Sequence, residues 1–222
     1  MTASELPLLA ITLGDPAGIG PEIVLKALAH DEIHTRCKPL VVGSRPYVAR
    51  AMGWDGVPEL AIEVIEDVAW SGDVDAITFE TGRLVLLDLP LAAAPDACPV
   101  GEVSATGGRA AVSYVQRACD LCTAGVAAAM VTAPLNKDAM NQAGFAYAGH
   151  TELLTERTGA QKVTMLLTAP TLRVVHVSTH VALAEAVRRV TTARVGEVIE
   201  LAYRGCRALG IAQPRIGVAG LN

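Results

Sequence analysis

Aromatic residues are scarce: Phe, Trp and Tyr make up 4% of the 222 residues, so stacked rings cannot supply the core. Apolar residues still reach 51%, and the core must therefore be built mainly from Ala, Val, Leu and Ile. Positive charge is also short. Eighteen Lys and Arg stand against 23 Asp and Glu, for a formal net charge of -5, and no dense basic stripe interrupts the chain. This excludes nucleic acid as the main partner. A small anionic substrate stays open, because a few local donors can bind one. No apolar run approaches the roughly 20 residues that span a bilayer, so no membrane segment is expected. The opening MTASELPLLAITLGD lacks a basic region and a cleavage-site pattern, so no signal peptide is expected either. The cysteines, Cys37, Cys98, Cys119, Cys122 and Cys206, are odd in number and irregularly spaced. They predict reduced thiols in a cytoplasm and not a disulfide frame. Internal repeats and low-complexity segments are absent.

Short apolar runs alternate with helical periodicity along most of the chain. Residues 8–13, 39–42, 60–65, 84–89 and 127–132 read as buried strands. Helices are predicted from Pro21–Glu22 to about Ala29, from a Ser44 cap to about Met52, over 108–122, from about Asn136 to Gln142, and over 150–158. Residues 163–167 and 172–178 flank Thr168-Ala169-Pro170-Thr171 and predict a β-hairpin. Helical periodicity returns over 183–209, with a break near Thr191–Thr192, and residues 215–220 read as a last buried strand. This order predicts an α/β fold with a largely parallel sheet and an antiparallel insertion. The Pro-, Gly-, Ala- and Asp-rich segment 90–106 is the place expected for a domain crossing. Because the chain stops at Leu221-Asn222 directly after an apolar run, it is expected to be part of a longer polypeptide.

Several stretches carry polar chemistry at the ends of predicted elements. Gly14-Asp15-Pro16-Ala17-Gly18-Ile19-Gly20-Pro21 joins a strand to a helix, the setting in which backbone N–H groups receive phosphates. It is neither GxGxxG nor a P-loop, so a tight turn that needs glycine is the equal alternative. Asp15 stands at the carboxyl end of the strand, placed to touch a ligand. Asn136 and Lys137 also follow a strand end, where open parallel sheets bind ligands; they read either as anion holders or as a helix cap with a surface lysine. His150 and Thr151 open a helix beside free N–H groups. Thr151 is followed three residues on by Leu154, so this is not a capping box. Cys119-Asp120-Leu121-Cys122 lacks the second pair a structural zinc requires and reads as core. His30-Asp31-Glu32-Ile33-His34 is not HExxH and reads as a solvated helix end.

In Val174-Val175-His176-Val177-Ser178-Thr179-His180 two histidines stand four residues apart. The valines predict a strand. Four residues of strand cover about 13 Å, whereas zinc–nitrogen bonds are about 2 Å. The two rings therefore do not clamp one ion. His180, at the strand's end, is the candidate metal ligand, and His176, in mid-strand, is expected to be a hydrogen-bonded core residue.

Taken together, GDPAGIGPEI, TAPLNKDAMNQAG, GHTELL, STH and the terminal GLN occur in this order across almost the whole chain. In that combination the sequence resembles the 4-hydroxythreonine-4-phosphate dehydrogenases, the PdxA family. The resemblance implies two α/β domains in three α/β/α layers, similar to isocitrate and isopropylmalate dehydrogenases and not a Rossmann fold. It implies a homodimer with the active site at the interface. The implied reaction is metal-dependent, NAD- or NADP-linked oxidation of 4-phosphohydroxy-L-threonine with decarboxylation, as in pyridoxine 5'-phosphate biosynthesis. A related four-carbon acid such as 4-phosphothreonate is the alternative substrate, and a non-catalytic homologue that binds ligand or dimerises is the alternative function. By motif match, His150 and Thr151 contact substrate and His180 holds the metal. Asp15, Asn136 and Lys137 are candidates for the lining of the site. The other two metal histidines, the phosphate-binding basic residues and most of the NAD site lie in family motifs beyond Asn222, and one metal histidine comes from the second subunit. A three-histidine site suits zinc first, cobalt next and magnesium least.

Overall fold

The computed structural model describes residues 6–67, 70, 72–74, 77–90, 95–179 and 181–220. Its chain divides into two compact units between Thr158 and Gly159. The segment 90–106, expected to carry a domain crossing, lies inside the first.

The first unit is organised by a five-stranded parallel sheet of β1 (Leu8–Thr12), β2 (Lys38–Gly43), β3 (Ala61–Glu66), β4 (Arg83–Asp88) and β5 (Ala129–Thr132), in the order β3-β4-β2-β1-β5. The strands are the predicted apolar runs, each shifted by a residue or two. Leu40, Val41 and Val42 of β2 and Leu84, Leu86 and Leu87 of β4 are fully buried. Side chains pointing to both faces are covered, which explains why these strands read as continuous hydrophobic runs and not as alternations. Each such Leu or Val contributes about 1.5–3 kcal/mol of burial.

The helices of this unit are α1 (Gly20–Leu28), α2 (Asp31–His34), α3 (Arg45–Met52), α4 (Ala105–Thr123), α5 (Lys137–Gln142) and α6 (His150–Thr158), and a 3-10 turn lies at Pro95–Ala97. The connection from β1 through α1 runs to β2, while that from β4 through α4 runs the opposite way to β5. Right-handed crossovers in opposite directions put α1 and α4 on opposite faces of the sheet. The packing agrees: α1 touches α3 and β4, whereas α4 covers β1, β2 and β5 and carries α5 and α6. The shortage of aromatics is met here by small residues. Gly107, Gly108, Ala110, Ala111 and Ala118 form much of the buried face of α4 and let it approach its neighbours closely. Ser104 caps α4 by accepting the Gly107 N–H at 3.1 Å. Arg157 of α6 donates two hydrogen bonds to Asp120 of α4, at 2.7 and 2.6 Å. Cys119 is buried in this core and Cys122 half-buried, and all five cysteines are free thiols.

Ser44, predicted as the cap of α3, occupies the N-cap position without a capping bond. Its hydroxyl donates to Leu89 O at 2.6 Å and accepts from the Tyr114 hydroxyl at 2.9 Å. Two distant partners outcompete the local one.

The second unit holds a hairpin of β6 (Leu166–Thr168) and β7 (Arg173–Val175), then α7 (Leu183–Arg189) and α8 (Thr192–Ala208). The Thr168–Thr171 turn is where it was expected, with Ala169 N–H donating to Leu172 O at 2.8 Å. The predicted break is a true helix start: the Thr191 hydroxyl accepts the Arg194 N–H at 3.2 Å. Val198, Ala202 and Cys206 are the buried stripe of α8. Two expectations fail in this unit. Residues 215–220 form no strand and are exposed; among the described residues no strand pairs with them. His176 lies one residue past β7 and not in mid-strand; it is half-buried and its Nδ1 has no hydrogen-bond partner. Among the described residues no helix is long and apolar enough to cross a membrane.

Candidate active-site cleft

β1 and β5 are neighbours, yet the loop after β1 leads to α1 on one face and the loop after β5 leads to α5 on the other. This is a topological switch point, where the carboxyl ends of a parallel sheet open a crevice suited to ligands. A cleft of about 260 Å³ lies there. Asp15, Ala17, Gly18 and Ile19 form one wall. Pro134, Leu135 and Asn136 form the second, and Gly101, Glu102 and Val103 the third.

The loop after β1 is held against the loop after β5 by backbone contacts. Asp15 N–H donates to Pro134 O at 2.9 Å, and Ala133 N–H donates to the buried Thr12 hydroxyl at 3.2 Å. Gly14 makes this approach possible. It has φ +74°, and a Cβ there would lie 2.6 Å from Pro134 O and 2.9 Å from the Ala133 Cβ. Only glycine meets both demands.

Asp15 is 5% exposed, and its Oδ1 accepts the Ala17 N–H at 2.9 Å. The Asp15 carbonyl accepts the Gly18 N–H at 3.0 Å. The amides of Ala17 and Gly18 are engaged by Asp15 itself, the first as in an Asx turn, so the loop is a tight turn. Burial pushes the Asp15 carboxyl above the usual carboxylate range, against the opposing pull of the Ala17 N–H and the Arg50 charge. Asp15 and Glu102 are the acidic side chains of the described lining, and Arg50 is the cation that acts on Asp15 from behind it.

Of the residues singled out in the sequence, Asp15 and Asn136 meet in this cleft. Asn136 is also the helix cap foreseen as its alternative, since its Oδ1 accepts the Ala139 N–H at 3.0 Å. Lys137 is exposed at the start of α5 and is not part of the lining. His150 and Thr151 open α6, also away from the lining. Thr151 is exposed. The His150 ring is half-buried, its Nε2 is buried without a hydrogen-bond partner, and burial lowers its pKa. A neutral imidazole with one unpaired nitrogen is suited to meet a substrate oxygen or hydroxyl. His180 lies outside the described residues. Among the described residues no three His, Cys, Asp or Glu side chains gather as a metal site.

Arg50 was not singled out, although it hydrogen-bonds to the loops that carry Asp15 and Glu102. Its guanidinium donates to Pro16 O at 2.6 Å, Cys98 O at 2.7 Å and Pro95 O at 3.2 Å, with Cζ 5.2 Å from the Tyr47 ring centroid. A signal was present in the sequence. The helical period places residue 50 beside the buried Tyr47 and Ala51, so its charge had to find partners inside.

Residues 35–222 match the family model of the pyridoxal phosphate biosynthetic protein PdxA. A D-threonate 4-phosphate dehydrogenase of Cupriavidus necator is 40% identical over 98% of the chain, and one of Salmonella typhimurium is 42% identical over 98%. The alignments cover 62% and 64% of those proteins, so the chain spans less than two thirds of the curated relatives it matches. A crystal structure of a 4-hydroxythreonine-4-phosphate dehydrogenase from Burkholderia phymatum superposes with a TM-score of 0.85 at 41% identity, covering 98% of this chain and 63% of that one. Motifs, parallel sheet and these likenesses agree, and the chain belongs to the PdxA family.

Proposed function

We propose that the protein is a cytoplasmic, homodimeric dehydrogenase that oxidises the secondary alcohol of a four-carbon phosphorylated hydroxy acid with NAD or NADP. The observation that carries this reading is His150. It occupies the GHTE stretch on which the family resemblance places substrate contact, and it presents a neutral ring with a buried, unpaired Nε2. An unmet buried nitrogen costs about 1–3 kcal/mol, a penalty that a substrate hydrogen bond removes. In the reaction the carbinol carbon gives its hydride to the nicotinamide and the hydroxyl gives up its proton. The resulting β-keto acid loses carbon dioxide, and its enolate takes a proton at carbon. A divalent ion held by His180 and further histidines would lower the pKa of the hydroxyl. Zinc is the first choice, with cobalt and magnesium behind it.

Two substrates are in view. D-threonate 4-phosphate is placed first, because curated relatives at 40–42% identity carry that activity in their names. 4-Phosphohydroxy-L-threonine, the substrate of vitamin B6 biosynthesis, is second; it bears an ammonium where threonate bears a hydroxyl. The test is NADH or NADPH formation by the full-length protein with each substrate, before and after chelation and re-addition of zinc, cobalt or magnesium. One substrate should react, chelation and His180→Ala should abolish turnover, and His150→Ala should lower kcat/KM by about 10- to 100-fold. Full activity of His180→Ala removes the metal assignment. Failure of both substrates leaves the non-catalytic, ligand-binding or dimerising homologue as the reading.

A further inference from the structure

The cleft at the ends of β1 and β5 is walled by loops that come from distant parts of the chain, and something must hold them in register. The wall carrying Asp15 and the wall carrying Glu102 are joined by a direct backbone bond, Gly101 N–H to Ala17 O at 2.8 Å. Behind them stands Arg50, on a helix that does not itself line the cleft. One Nη donates to Pro16 O, next to Asp15, and the other to Cys98 O and Pro95 O, at the base of the Glu102 loop. The Tyr47 ring, one turn earlier on α3, packs against the guanidinium plane. Only a planar, forked cation can serve carbonyls on two loops at once; a lysine ammonium offers a single point of charge. Such groups act by holding the first contact shell in place, and small displacements there are costly.

We propose that Arg50 is the positioning residue of this cleft: its fork pins the Asp15 loop to the Glu102 loop and so fixes where the Asp15 carboxylate stands. Its bearing on catalysis rests on the reading of the cleft as part of a dehydrogenase active site. The clamp itself does not depend on that reading. The charged and titratable groups around Asp15 are Arg50 and Tyr47 from α3, Cys98 from the Glu102 loop, and Glu102 itself.

The test compares Arg50→Gln and Arg50→Lys with the wild-type, full-length protein by two measurements that need no turnover. Amide exchange of Gly101 reports the joint between the loops. It should accelerate at least tenfold in both variants, with the buried amides of β2 unchanged. The Asp15 carboxyl, followed by carbon NMR, should titrate at higher pH in Arg50→Gln, which loses the charge, and close to wild type in Arg50→Lys, which keeps it. A merely structural arginine would not separate the two variants in this way. Where turnover is present, kcat/KM should fall at least tenfold in Arg50→Gln and recover in part in Arg50→Lys. Wild-type Gly101 exchange in both variants overturns the proposal, as does an unmoved Asp15 titration in Arg50→Gln. Should Arg50→Gln not fold, Gly101 exchange in Arg50→Lys decides alone. An inactive wild type would remove the dehydrogenase reading and leave the clamp to be judged by exchange and titration.

Discussion

Gly108→Ala should destabilise the protein although it replaces a glycine near the start of α4 with the best helix former. In an open helix this change stabilises by about 0.5–1 kcal/mol. In α4 the added Cβ would lie 2.0 Å from Ala139 O, 2.2 Å from the Ala139 carbonyl carbon and 2.6 Å from Met140 N. Unstrained contacts to carbon lie near 3.5 Å, so α5 must retreat by about 1 Å or more. All three atoms are backbone, inside a helix tied down by its Asn136 cap, and no side-chain rotation relieves them. Overpacking of a tight core costs about 1–3 kcal/mol. A clash of this depth belongs at the upper end, so the net loss after the propensity gain is about 2 kcal/mol. Gly196→Ala in α8 is the control: nothing lies within 4 Å of its Cβ, and it should stabilise by about 0.5–1 kcal/mol. Urea unfolding followed by far-ultraviolet circular dichroism measures both. A Gly108→Ala midpoint at or above wild type would refute the backbone-to-backbone packing of α4 on α5, and with it the support of the Asn136 wall.

Asn136→Ala should cost about 1 kcal/mol in the same urea experiment, since it leaves the Ala139 N–H without its cap, whereas Asn136→Asp should keep most of the stability. Equal losses in the two variants would show that the cap is not what matters. His150 should titrate below its ordinary 6.5, because burial disfavours the imidazolium. The sign follows: the unfolded chain binds the proton more readily between the folded pKa and 6.5. The stabilising contribution is therefore intact above pH 6.5 and lost as pH falls through the folded pKa. Imidazole NMR gives the midpoint directly, and His150→Gln should flatten the pH dependence of stability in that window. A midpoint at or above 6.5 contradicts the burial of the ring.

The order of elements was legible because burial on both faces of a parallel sheet leaves a local mark. Leu40-Val41-Val42 and Leu84-Val85-Leu86-Leu87 admit no polar residue, and Thr191 announces the start of α8 with its own hydroxyl. The failures share a different physics. Residues 215–220 have strand composition, but a strand also needs a neighbour to pair with, and composition does not supply one. Ser44 has the form of a cap, yet its hydroxyl is claimed by Leu89 and Tyr114, 45 and 70 residues away. Arg50 finds its acceptors 34 to 48 residues away.

The candidate site divides along the same line. Asp15 was legible because the end of a strand marks the end of a sheet, and ligands gather there. Whether its loop receives a phosphate was not, because that turns on where each N–H points. Asp15 takes the Ala17 and Gly18 amides for itself, and its carboxylate then stands in the cleft beside Glu102. Two of the loop's donors are thereby satisfied internally, and the Arg50 charge stands against that of Asp15. The place from which Asp15 would meet a ligand is, by the proposed clamp, set by Arg50 behind it.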